Sequence, residues 1–138
     1  MTKSLYLAAP YSQRSQLRHL AHYLTFDTTI EVVARWLDGE HEAKDADPTP
    51  EDQAQWAADD LEDIDACDAL VLFTDKPSRR GGCNVEFGYA LGTGKQLVIV
   101  GPRINVFHAL PGVEQFATWH DARLWLIEWA KDEGRRAA

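Results

Sequence analysis

Apolar residues fall into short runs separated by polar stretches. The runs at 4–8 (SLYLA), 69–73 (ALVLF) and 96–100 (QLVIV) are nearly unbroken and only five residues long. Unbroken runs of that length mark strands covered on both faces, as inside a parallel sheet. The stretch 29–36 (TIEVVARW) is rich in β-branched residues and reads as the second strand. Elsewhere the spacing becomes helical. Leu17, Leu20, Ala21 and Leu24 recur every three or four residues and predict a helix over 12–24. Thr49-Pro50-Glu51-Asp52 is a helix start: Thr caps, Pro suits the first position, and acids favour the positive end of the helix dipole. That helix reaches about Ala66. Gly81 and Gly82 open another, which ends near Gly92 or Gly94. A loop with Pro102 and Pro111 leads to a fifth strand at 115–119, and an amphipathic helix over 120–132 follows. Residues 37–48 are polar and read as a long surface loop, serving as a mobile lid or as a plain solvated connection.

Alternating strands and helices predict an α/β fold, with a parallel sheet of order 2-1-3-4-5 and helices on both faces. At 138 residues the chain fits one domain, 1–138, with a real core. In such sheets ligands bind beyond the carboxyl ends of the strands. The segments to search are therefore 9–14, 74–86 and 101–108.

Composition narrows the function. The net charge of −8 argues against a nucleic-acid polymer as partner, because backbone binding needs a basic face. A single nucleotide in a pocket stays open, because a pocket sets its own field and Arg79 and Arg80 supply local positive charge. No apolar run is long enough to span a membrane or to serve as a signal peptide, so a cytoplasmic protein is expected. Two cysteines make no disulfide framework, and the five histidines show no metal spacing. Neither a metal nor a cofactor is expected. Gly92-Thr93-Gly94-Lys95 lacks the spacing of a phosphate loop and precedes a strand, so it reads as a helix C-cap.

Two acids stand where apolar residues belong. At 100° per residue with Trp56 at zero, Asp60 falls at about 40°, inside the apolar arc of helix 49–66. Asp59, Glu62 and Asp63 are expected on the solvent side. Asp60 serves a pocket, caps a neighbouring backbone amide or sits at the rim. Glu86 lies in an otherwise apolar helix. Read as a first-turn carboxylate, it favours the helix dipole, and the same amides would keep it ionised as a nucleophile or base. Gly81 and Gly82 would let a ligand approach the backbone. Two carboxylates in one pocket suit glycosidic chemistry, one attacking the anomeric carbon and the other handling the leaving group's proton.

These residues carry a resemblance. From Tyr6 to about Trp119 the chain resembles the nucleoside 2-deoxyribosyltransferase family and its relatives, the nucleoside 5′-monophosphate N-glycosidases. The carriers are LYLAAPYS, DLEDIDACDALVLF, NVFHALPG and, most specifically, GGCNVEFGYALGTGK. The resemblance implies a flavodoxin-like fold and a retaining mechanism in which Glu86 attacks C1′ of a 2-deoxyribosyl group and expels the base. It implies that Asp60 donates a proton near the leaving base or positions the sugar, and that the Tyr6 hydroxyl bonds the nucleophile. A Tyr6 that is only a satisfied core residue is the plainer alternative. Asn105 corresponds to a residue reaching the sugar 5′ end across a subunit interface, so a homodimer or higher oligomer is implied. Ala9, Tyr11, Gly82 and Asn84 join Asn105 and the arginine pair as substrate-binding candidates.

The sequence departs from the family before the glycine turn. Transferases often carry an acid there, and the monophosphate hydrolases a Ser. Here Arg79 and Arg80 follow Ser78, and Gly81 and Gly82 stand where a Ser is expected. The pair either holds a phosphate bidentately or is a solvated loop pair. The leading expectation is cleavage of a 2′-deoxynucleoside with transfer of the sugar to a second free base. The alternatives are hydrolysis of a deoxynucleoside 5′-monophosphate and a non-catalytic nucleotide-binding sensor.

Overall fold

The computed structural model describes residues 2–38, 47–76 and 80–131. Its strands form one sheet of order β2-β1-β3-β4-β5, parallel throughout: β1 (Ser4–Ala8), β2 (Glu31–Val32), β3 (Ala69–Phe73), β4 (Gln96–Val100) and β5 (Val113–Phe116). Every residue of β1 and β3 is buried, which is why these segments read as apolar runs rather than alternating ones. The helices are α1 (Arg14–Asp27), α2 (Pro50–Ala66), α3 (Gly82–Gly92) and α4 (Trp119–Lys131). Right-handed crossovers send α1 to one face, toward β2, and α2 and α3 to the other, between β2 and β4. Packing agrees, with α2 against α3, while Arg123 of α4 pairs with Asp27 of α1 at 3.4 Å. Among the described residues no helix is long and apolar enough to cross a membrane.

Local chemistry sets the helix ends that matter for function. Thr49 and Asp52 form a reciprocal capping box with Pro50 in the first turn, so α2 starts where the sequence predicts. Gly81 caps α3 at φ +78°, a left-handed conformation that favours glycine. At its far end Gly94 N–H bonds Leu91 O and Lys95 N–H bonds Ala90 O, the paired bonds of a Schellman motif, with Gly94 at φ +77°.

Two boundaries differ from expectation. The fifth strand lies at Val113–Phe116, two or three residues earlier than 115–119. The second strand is two residues long, and 29–36 does not continue as one strand. The chain instead turns into a short 3-10 helix at Arg35–Asp38. Tertiary bonds outweigh β propensity there. The buried indole N–H of Trp36 donates to Leu7 O at 2.9 Å, Arg18 Nε donates to Leu37 O at 2.8 Å, and Arg35 reaches across to α2. Most of loop 37–48, the lid candidate, lies outside the described residues.

Candidate active site

Tyr6 occupies the middle of β1, paired in register with Leu70 of β3, and is fully buried. Its phenol O–H donates to Oε2 of Glu86 on α3. Asp60 of α2 lies close enough to this hydroxyl for each to shift the other's ionisation. The sheet, α2 and α3 thus bring Tyr6, Asp60 and Glu86 to one point. These are the three residues singled out from the sequence for chemistry.

The electrostatics of Glu86 differ from expectation. It is not in the first turn of α3, which carries no acid, so the helix amides do not hold it ionised. Burial dominates and raises its pKa to about 7; the Tyr6 hydrogen bond lowers it and the charge of Asp60 raises it further. Asp60 is also pushed up to about 7, first by burial and then by Asp63, with Asp59 adding and Tyr6 and Arg35 opposing. One Asp60 oxygen, Oδ1, is buried with no hydrogen-bond partner. Tyr6 itself is driven far above its ordinary range by burial, then by the charges of Glu86 and Asp60, so its O–H stays a donor. Burial and mutual repulsion raise both carboxyls, so ionising the two together is disfavoured. Glu86 accepts the Tyr6 O–H, which favours its anion, whereas the unpartnered oxygen favours a protonated Asp60.

Asp63 corrects the helical-wheel reading, which placed it toward solvent. It is buried, and Arg35 makes that burial tolerable. The Arg35 backbone N–H donates to Asp63 Oδ2 at 2.8 Å and its Nε to Oδ1 at 3.0 Å. The same guanidinium reaches Asp59 O at 3.2 Å and Glu62 Oε1 at 3.1 Å. Sequence reasoning missed Arg35 because it stood inside an assumed strand. The available signal was a lone cation ending an apolar run in a chain whose next helix holds Asp59, Asp60, Glu62 and Asp63.

The binding candidates divide. Ala9 is buried just past β1, and Tyr11, half exposed, sits beside Trp36 with ring centroids 6.5 Å apart and Arg14 over its face. Gly82 is exposed, one turn before Glu86 on the same side of α3. Arg80 is exposed and precedes the Gly81 cap, whereas Arg79 lies outside the described residues. Asn84 is not brought to Glu86: two residues apart on a helix, they point about 200° apart. Asn84 instead lines a groove of about 340 Å³ with Phe87, Gly88, Leu91, Asn105 and Phe107. Asn105 Oδ1 caps the short turn after it by accepting Phe107 N–H at 3.0 Å.

A family model described as nucleoside 2-deoxyribosyltransferase matches residues 5–120. Among solved structures, a 2-deoxyribosyltransferase from the psychrotolerant bacterium Bacillus psychrosaccharolyticus is similar at 22% identity. That match covers 87% of this chain and 90% of the other, with a TM-score of 0.67. A CMP N-glycosidase from Clostridium botulinum is similar at 20% identity over 90% of this chain and 98% of the other, with a TM-score of 0.59. A conserved protein from Enterococcus faecalis V583 is similar at 19% identity over 94% and 89% of the two chains, with a TM-score of 0.54. At these identities the likenesses establish the fold. Comparison with curated proteins gives no match.

Proposed function

The chain belongs to the nucleoside 2-deoxyribosyltransferase family, and on that premise we propose that it cleaves the N-glycosidic bond of 2′-deoxynucleosides and passes the sugar to a second free base. Glu86 attacks C1′ as a carboxylate. The C1′–N bond breaks, its electrons go to the departing base, and Asp60 supplies the proton the base takes up. The second base then attacks C1′, displaces Glu86 and returns a proton to Asp60. Two inversions retain configuration. Tyr6 steadies Glu86 through its hydrogen bond. The observation that carries this reading is the meeting of Tyr6, Asp60 and Glu86, with both carboxylates titrating near neutrality.

Asn105 serves a neighbouring copy's site in this reading. It lines the groove shared with Asn84, across α3 from its own Glu86, amid exposed Ile104, Val106 and Phe107. A second copy covering that apolar face would bring each Asn105 to the other subunit's pocket, a homodimer or higher oligomer.

A second reading is hydrolysis of a 5′-monophosphate. Arg80 favours it, because α3 begins beside this cation with no side-chain cap on its amides, a suitable cradle for phosphate. One chromatographic assay separates the two. Deoxynucleosides and their 5′-monophosphates are incubated with and without a second base. A new deoxynucleoside formed only with added base supports transfer; free base with deoxyribose 5-phosphate, independent of added base, supports the hydrolase. Neither product would leave the sensor alternative.

A further inference from the structure

We infer that the Arg35–Asp63 ion pair sets the charge on Asp60, which makes Arg35 a positioning residue of the site although it need not touch substrate. The importance of this for turnover rests on the reading of Asp60 as proton donor.

The inference starts from burial. Asp63 is buried one helical turn beyond Asp60, where side chains three residues apart are neighbours at about 5–6 Å. An anion so close, with little water between, opposes ionisation of Asp60. Arg35 pairs with the Asp63 carboxylate through a backbone N–H and its guanidinium. Arg35 therefore acts in two opposite ways. It stabilises the anion that repels the Asp60 charge, and its own positive charge attracts the Asp60 carboxylate. The titratable and charged groups that face Asp60 are Asp59 and Asp63 from α2, Tyr6 from β1, Glu86 from α3 and Arg35 from the turn after β2. Asp63 ranks above Arg35 among the influences on Asp60, consistent with the nearer anion outweighing the cation.

Arginine suits this task because it does not titrate in the working range, so its field is constant. Its backbone is also anchored independently of its side chain, through Trp36 Nε1 to Leu7 O and Arg18 Nε to Leu37 O. Changing the Arg35 side chain therefore alters charge more than it releases the segment.

The test reads Asp60 directly. The protein is labelled with 13C at aspartate carboxyls, the Asp60 signal is assigned with Asp60→Asn, and its titration is followed by NMR. Asp63→Asn should lower the Asp60 midpoint by about one pH unit, and adding Arg35→Met to Asp63→Asn should raise it again by about one pH unit, because the Asn background has already removed the anion that Arg35 stabilises. Arg35→Lys, which keeps the charge, should stay near the parent. Loosening of the fold would not move the midpoint down in the single variant and back up in the double one. A midpoint that does not fall in Asp63→Asn, or does not rise again in the double variant, overturns the inference. If the double variant does not fold, Asp63→Asn decides alone: a midpoint that falls supports the inference, and one that stays or rises overturns it. Activity is measured in parallel. Full turnover by Asp60→Asn would remove the proton-donor reading and leave the charge coupling intact.

Discussion

Tyr6 and Glu86 lie 80 residues apart in the chain, and the phenol of one donates its proton to the carboxylate of the other inside the fold. The bond ties β1 to α3 and gives Glu86 a donor within a desolvated site. Burial works against the Glu86 anion and Tyr6 works for it, which leaves the carboxyl poised near pH 7.

Glu86→Gln should abolish turnover, by about 1,000-fold or more, while the protein stays folded. The amide keeps an acceptor for Tyr6 but cannot attack C1′. Mass spectrometry of the parent protein, quenched with substrate and no acceptor base, should show a deoxyribosyl unit on the peptide containing Glu86. An active Glu86→Gln enzyme would remove Glu86 from the role of nucleophile.

Tyr6→Phe preserves most of the ring's packing and deletes the donor. Without the bond the Glu86 anion is less favourable, so the acid limb of the kcat/KM profile should move to higher pH. At neutral pH the rate should fall by about 10- to 100-fold, the usual scale for one hydrogen bond to a charged group. An unchanged profile would return Tyr6 to the role of a core residue.

Much of this site was legible before the fold was known, for a physical reason. An acid on an apolar face is costly, so Asp60 on the wheel and Glu86 in an apolar helix stood out by composition alone. Unbroken apolar runs mark β1, β3 and β4, which are covered on both faces, and the alternation of strands with helices suggests their order. Asp63 escaped because its cost is offset by Arg35, 28 positions earlier in the chain, and no periodicity reports such a partner. The second strand ended early for the same reason, since Arg35 and Trp36 are committed to α2 and β1 rather than to a ladder. Desolvation rather than helix-end electrostatics governs Glu86, because it lies beyond the first turn of α3, and a sequence does not report how deeply a side chain is buried.

Stability should carry the cost of the site. Glu86 binds its proton more tightly folded than unfolded, with a pKa near 7 against an ordinary 4.5. Between these values the native state holds more protons than the unfolded state, so this group's contribution falls as pH rises from about 4.5 to 7. Glu86→Gln removes that loss. It should stabilise the protein by about 2 kcal/mol at pH 8 and much less at pH 4.5, measured as the difference between parent and variant denaturation curves. An equal effect at both pH values would show that burial does not penalise the Glu86 charge.

Asn105 should act in trans. Its groove lies across α3 from its own Glu86, with Asn84 and Glu86 about 200° apart on the helix. Glu86→Gln and Asn105→Ala should each be nearly inactive alone. Unfolded together and refolded, they form mixed dimers in which one site carries both defects and the other carries neither. With random pairing, half of the dimers are mixed and half of their sites are intact, so activity should recover to about a quarter of the parent level. A site that used its own Asn105 would have one defect in every copy, and mixing would restore nothing. The recovery therefore reports both the oligomer and the exchange of Asn105 between subunits, without assuming how the subunits dock.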